Sequence, residues 1–258
     1  LTGEREYACR WNDANEKASM LALSGSALPA VALPEPPLPF AADAVWPKGS
    51  AQLVARDGAI FAEGDPARCW YRLLSGSLRV FRVLRDGRRH ISDFVFPGQF
   101  FGFESGDVHI QGAEAIEPAS VIAYSCERIE QRIAEDAIAR QAIRKLLMDQ
   151  LAQAQERSML LGRLNATGRL AAFLLVMAQR RSKANPLGFV AELPMSRIDI
   201  ADYLGLTVET VSRLFTALRG RGVIRLATAN RVELLEPGVL AAASAGTVEA
   251  DTELPHCA

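Results

Sequence analysis

The chain has 258 residues and a formal net charge of -1, with 29 Lys and Arg against 30 Asp and Glu. Its 49% hydrophobic and 23% charged residues are the ordinary globular balance, which excludes a wholly disordered chain and fits one or two domains. The near-neutral total also excludes a histone-like protein held to nucleic acid by bulk charge, while a local basic face stays open.

Residues 1–48 are rich in Ala, Pro and Leu. Pro29, Pro34, Pro36, Pro37 and Pro39 interrupt the most apolar early stretch, 27–42. Closely spaced prolines forbid a helix, and a membrane span needs about 20 mostly apolar residues in a row. The segment therefore reads as an irregular or polyproline-like arm. The stretch from Leu1 shows no basic start followed by an unbroken apolar core, as a secretory signal requires, so the cytoplasm is the expected location.

From 49 to 127, short runs rich in Val, Ile, Phe and Leu alternate with glycine turns. The clearest runs are 77–84, 90–96 and 120–125, and Asp86-Gly87 between the first two is a hairpin turn. Many short strands at this spacing predict a barrel or sandwich. At 128–164 the period changes. Proline is absent and Gly162 is the only glycine, while Ile143, Leu147, Leu151, Ala154, Ser158 and Leu161 recur at steps of four or three. That is a helical stripe near the coiled-coil period. It can meet a second copy, with small Ala154 and Ser158 allowing close approach, or it can pack on its own barrel.

Residues 165–238 form a compact mixed segment. Asn165 can cap a helix running to Arg180, Pro186-Leu187-Gly188 ends it, and 189–193 reads as a short strand. Two helices and a hairpin (223–226 and 232–234 around Thr228-Ala229-Asn230) follow. From 239 to 258 the small, acidic residues read as a loose tail, beginning by Ala241.

The informative stretch is 195–218. Ser196 followed by Asp199 is a capping box that satisfies orphan N–H groups at a helix start. Ile200, Ala201 and Leu204 give one apolar face, and Gly205 ends the helix where left-handed backbone is cheapest. Thr207 caps a second helix, with Val211, Leu214 and Leu218 facing inward. Two short helices joined this way are a helix-turn-helix. Glu209, Thr210, Ser212 and Arg213 fall on the outward face. Arg can donate two hydrogen bonds to guanine O6 and N7, Glu accepts from cytosine N4, and Ser and Thr serve base edges or phosphates. Thr207 and the helix start suit a phosphate. Across 163–233 there are eleven Lys and Arg against five Asp and Glu, so this segment is basic within a near-neutral chain. Glu209 and Arg213 are also an i,i+4 pair that on an isolated helix would be a solvated salt bridge. Here the caps, the small residue and the basic surroundings favour DNA contact.

These residues carry a family resemblance. The stretch 165–174 (NATGRLAAFL) resembles the opening of the C-terminal domain in the CRP/FNR family. Leu193-Pro194-Met195-Ser196-Arg197 and 200–214 (IADYLGLTVETVSRL) look like its FNR and FixK branch. In the barrel, Gly64-Asp65, Tyr71, Leu74-Ser75-Gly76, Asp86-Gly87 and Pro97-Gly98 with Gly102 fall at the family's turns. The resemblance implies an α+β fold: a cyclic-nucleotide-binding-like β-roll, a long dimerisation helix and a winged helix-turn-helix. It implies a homodimer whose Glu209, Ser212 and Arg213 read half-sites like TTGA/TCAA in a TTGA-N6-TCAA palindrome, about 10 bp apart. Thr207, Val208, Thr210, Ser196 and Arg197 are the further expected DNA-binding residues, and RNA polymerase is the expected partner of an activator.

The departures decide the effector. Cyclic-nucleotide binders carry Gly-Glu and then Arg followed by Ser or Thr. Here Gly102 precedes Phe103, with Glu104 displaced by one, and 106–113 contains no arginine. Cys9, Cys69, Cys126 and Cys257 lack the clustered spacing of an iron–sulfur site, a zinc site or a disulfide scaffold. His90 and His109 have no supporting pattern for haem and no His-x-His spacing for a cupin enzyme, while His256 stands alone in the tail. No P-loop, dinucleotide fingerprint or Ser/His/Asp arrangement is found, so an enzyme is not expected. FixK-type regulators are similar in lacking a cofactor, and their targets are genes of microaerobic or anaerobic respiration and nitrogen metabolism. The alternative is a ligand-gated member of the same family, responding to a cyclic nucleotide, haem or another effector.

Overall fold

The computed structural model describes residues 45–104, 106–181 and 189–246. Most of 1–48, the Pro186-Leu187-Gly188 break, and the end of the chain with Cys257 lie outside the described residues, as does Cys9.

Among the described residues, eight strands build the first half: β1 (Ser50–Val54), β2 (Ala59–Phe61), β3 (Cys69–Ser75), β4 (Leu78–Val83), β5 (Arg89–Val95), β6 (Phe100–Phe101), β7 (Gly112–Ala115) and β8 (Ala119–Ser125). They form two antiparallel sheets ordered β1-β8-β3-β6 and β2-β7-β4-β5. Alternating side chains from both sheets make the core between them, and Leu73, Leu78, Ala113, Ala115 and Val121 are wholly buried there. The Asp86-Gly87 turn joins β4 to β5, with Gly87 at φ 82 and the Arg88 N–H donating to Asp86 Oδ1. Gly76 sits at φ +85, and a Cβ there would lie 2.5 Å from the Pro118 carbonyl oxygen, so only glycine fits the β3–β4 turn.

The expected single long helix is two. Helix α1 (Cys126–Glu135) stops at Asp136, and α2 (Ala137–Arg163) follows. The backbone of Asp136 is extended, and its carboxylate accepts from the Ile138 and Ala139 N–H groups, so a side-chain cap restarts the helix without Gly or Pro. Val45, Trp46, Phe100, Tyr124, Ile129, Ala139, Ile143 and Leu146 form a core under these helices. Trp46, at the end of the expected arm, lies 4.2 Å from Phe100 between ring centroids.

The C-terminal half holds α3 (Ala166–Arg181), β9 (Phe189–Glu192), α4 (Arg197–Leu204), α5 (Val208–Gly220), β10 (Ile224–Thr228), β11 (Arg231–Leu234) and α6 (Pro237–Ser244). The strands pair antiparallel in the order β10-β11-β9. The reading of a loose tail from Ala241 is corrected by α6. Pro237 sits at its first turn, Leu240, Ala241, Ala243 and Ser244 are buried, and small apolar residues let it lie close on α3. The apolar core of this half is continuous with Ile91, Phe94, Phe96 and Ile116 of the barrel. Phe94 is wholly buried, its ring centroid 6.2 Å from Phe173 and 5.1 Å from Tyr203.

Candidate nucleic-acid interface

Local chemistry fixes the helix pair. The Ser196 hydroxyl oxygen accepts from the Asp199 N–H at 3.1 Å, and Asp199 Oδ2 accepts in return from the Ser196 N–H at 3.0 Å. Gly205 takes the left-handed conformation at φ 65, and the Leu206 N–H donates to the Ala201 carbonyl at 3.0 Å. Thr207 Oγ1 then accepts from the Thr210 N–H at 3.2 Å to start α5. Ile200, Ala201, Leu204, Val211 and Leu218 are buried in one core, as the spacing predicts. Leu214 is only half-buried, and Phe215, one residue on, takes the deep position. The Phe215 ring lies against Arg197 at the start of α4.

What remains outside is a ridge. Glu209, Ser212 and Arg213 are exposed, with Thr207 at its start and Thr210 half-exposed. The Glu209 carboxyl is held below the ordinary carboxylate range, first by its own backbone N–H, then by the Thr207 hydroxyl, with Arg213 adding attraction. It therefore presents an ionised acceptor beside a guanidinium donor, the pair that major-groove edges distinguish. Arg219, Arg221 and Arg231 are exposed as well, and Arg225 pairs with Glu233 across the hairpin.

Three other expected DNA-binding residues have duties inside the domain. The Ser196 hydroxyl donates to Asp199 Oδ2 at 2.7 Å. Val208 packs against the core. The Arg197 guanidinium lies 3.2 Å over the Phe215 ring, and burial lowers its pKa to about 10. Of the expected dimer residues, Leu147, Leu151, Ala154 and Ser158 are exposed along one side of α2, and Leu161 is half-buried. Ile143 departs from them: it is 2% exposed within a single chain, because α2 turns that residue onto the barrel sheet.

Sequence reading missed the charged contacts between the two halves. Arg89 on β5 donates through Nη2 to Asp199 Oδ1 at 2.6 Å and through Nε to Asp202 Oδ2 at 2.8 Å. Asp93, also on β5, pairs with Arg157 of α2 at 3.0 Å and Arg180 of α3 at 3.5 Å. The only sequence signal was a carboxylate at position 93 inside an apolar strand.

A half-open pocket of about 280 Å³ lies between the barrel and α2, lined in part by Phe61, Asp93, Phe101, Glu104 and Arg157. A cyclic phosphodiester does not fit this lining. The phosphate would face two carboxylates, and Arg157, the one cation among the described lining residues, already serves Asp93. His109 is buried, stacked 3.7 Å from Phe61 with Nδ1 3.4 Å from Glu104. Cys69 and Cys126 are half-buried thiols whose pKa burial raises, and His90 pairs across the β4–β5 hairpin with Arg82. Among the described residues no group of three His, Cys, Asp or Glu is placed to hold a metal, and no helix is long and apolar enough to cross a membrane.

A two-sheet barrel, a long helix and a winged helix-turn-helix with an exposed polar ridge define a DNA-binding transcription regulator. Models of the cyclic nucleotide-binding domain and the Crp-like helix-turn-helix domain match residues 52–136 and 168–243. The nitrogen fixation regulation protein FixK of Rhizobium meliloti (strain 1021) is 38% identical over 181 residues, covering 70% of this chain and 81% of that protein. The transcriptional activatory protein AadR of Rhodopseudomonas palustris (strain ATCC BAA-98 / CGA009) is 34% identical, covering 69% and 74%. The solved structure of FixK2 from Bradyrhizobium japonicum superposes with a TM-score of 0.69 at 37% identity, over 75% of this chain and 96% of that one. The chain belongs to the CRP/FNR family and is a FixK-type regulator, not an enzyme.

Proposed function

We propose that this protein acts as a homodimer on a TTGA-N6-TCAA-like palindrome and activates transcription through RNA polymerase in the cytoplasm, without a small-molecule cofactor. Its targets are then genes of microaerobic or anaerobic respiration or nitrogen metabolism, in keeping with the names of its relatives. The exposed Glu209–Ser212–Arg213 ridge on a helix capped by Thr207 carries the reading. The row Leu147, Leu151, Ala154 and Ser158 supports dimerisation, since it is exposed on one chain and has helix-pair spacing. Cofactor independence is supported by the pocket chemistry and by ion pairs that hold the reading domain to the barrel with the chain's own side chains. Footprinting of the purified protein on that duplex, with nothing added, should show protection of both half-sites. An absolute requirement for a small molecule would instead favour a ligand-gated regulator, for which the pocket between the barrel and α2 is the place to look.

A further inference from the structure

We propose that Arg89 is a positioning residue for DNA recognition, setting the half-site spacing that the protein accepts. The inference rests on the dimeric reading above. Arg89 stands on barrel strand β5 and holds two carboxylates of α4, Asp199 and Asp202, with different nitrogens of one guanidinium. Asp199 is 4% exposed, and its second oxygen closes the capping box with Ser196. One side chain thus fixes where α4 begins and where it sits on the barrel. Arg79 on β4 approaches the same carboxylate oxygen at 3.7 Å.

A second tether lies on the same strand. Asp93 draws in Arg157 of α2 and Arg180 of α3, and Arg180 donates onward to Gln153 Oε1 at 3.2 Å. Phe94 packs between the tethers against Phe173 and Tyr203. Apolar contact is non-directional and tolerates rotation, whereas a planar guanidinium shared by two carboxylates defines an orientation. Helix α5 packs on α4 through the buried Ala201 and Val211. The angle at which Arg89 pins α4 therefore sets the position of the reading ridge relative to the barrel and to α2. In a dimer joined along α2, that angle sets the distance between the two ridges.

The test uses the full chain and fluorescence anisotropy. The duplexes carry one half-site, or two half-sites at the preferred separation and at separations one and two base pairs shorter or longer. Arg89→Ala should lose about tenfold in affinity at the preferred separation, equivalent to ~1.4 kcal/mol, and its preference among separations should flatten. Affinity for the single half-site should stay within about twofold, because the ridge itself is untouched. Asp202→Asn, which leaves the capping box intact, should give the same pattern more weakly, and Arg89→Lys should fall between. A merely structural loss would lower single-site binding in step. An Arg89→Ala protein that keeps the wild-type spacing preference overturns the proposal. If the wild type itself shows no spacing preference, the dimeric reading fails. Amide exchange in 197–204 of the DNA-free protein then decides the tether: faster exchange in Arg89→Ala supports it, and equal exchange refutes it.

Discussion

Replacing Arg213 by Ala separates reading from folding. Arg213 is exposed on α5, one turn beyond Glu209. Exposed substitutions of this kind leave stability nearly unchanged, so the thermal midpoint should move by no more than about 2 °C. On DNA the loss is larger. A bidentate arginine–guanine contact discriminates by about 1–3 kcal/mol, so each half-site should lose roughly 5- to 150-fold. A dimer loses this twice on a full palindrome. The assay is anisotropy at fixed salt against the palindrome and its single-base variants, since affinities at unstated salt cannot be compared. The variant should become indifferent to the base at one position of each half-site and keep its preferences elsewhere. A uniform loss across all sequences would show that Arg213 meets phosphate, and an unchanged base preference would refute the ridge as the reading surface.

Further outcomes follow from the packing. Phe94→Ala removes a wholly buried ring between barrel and reading domain and should cost about 3–5 kcal/mol in denaturant unfolding; a loss under about 1 kcal/mol would contradict the continuous core. Ser196→Ala opens the capping box and should cost about 1 kcal/mol, read as a lowered denaturation midpoint. Gly205→Ala forces a Cβ into left-handed backbone and should cost about 1 kcal/mol even though its nearest neighbour, Arg169 Nη1, would lie at an ordinary contact distance of 3.7 Å. The Asp136 carboxyl lies below its ordinary 3.8 because the Ala139 and Ile138 N–H groups bind the charged form. Its contribution is therefore present above 3.8 and lost as pH falls through the lower folded value. Circular dichroism on acidification should show this loss, and Asp136→Asn, which keeps a cap but cannot titrate, should remove that part of the pH dependence.

The helix-turn-helix was legible because its signals are local. A capping box, a left-handed glycine and a threonine cap each act within a few residues, and each is found where the spacing puts it. Of the barrel strands, β4, β5 and β8 were legible to within a residue at each end, whereas β1, β2, β3, β6 and β7 were not separately delimited; in the hairpin, β10 runs two residues further than its spacing predicts. The break at Asp136 was not, since a side-chain cap interrupts a helix without altering composition. Ile143 shows the limit of periodicity: a stripe identifies an apolar face but not what covers it, and the barrel covers that residue. Helix α6 was missed because alanine-rich runs look alike whether they bury or not. The Arg89 and Asp93 contacts were beyond reach, because their partners lie far along the chain and are brought close only by the docking of two folded halves.

That docking has a practical corollary. Because one oily seam runs from β5 into the domain behind the reading ridge, severing the chain after α2 would not release two self-sufficient pieces. Each fragment would carry a raw greasy wound where Phe94 met Phe173 and Tyr203. Heating the intact molecule should accordingly melt it in a single step.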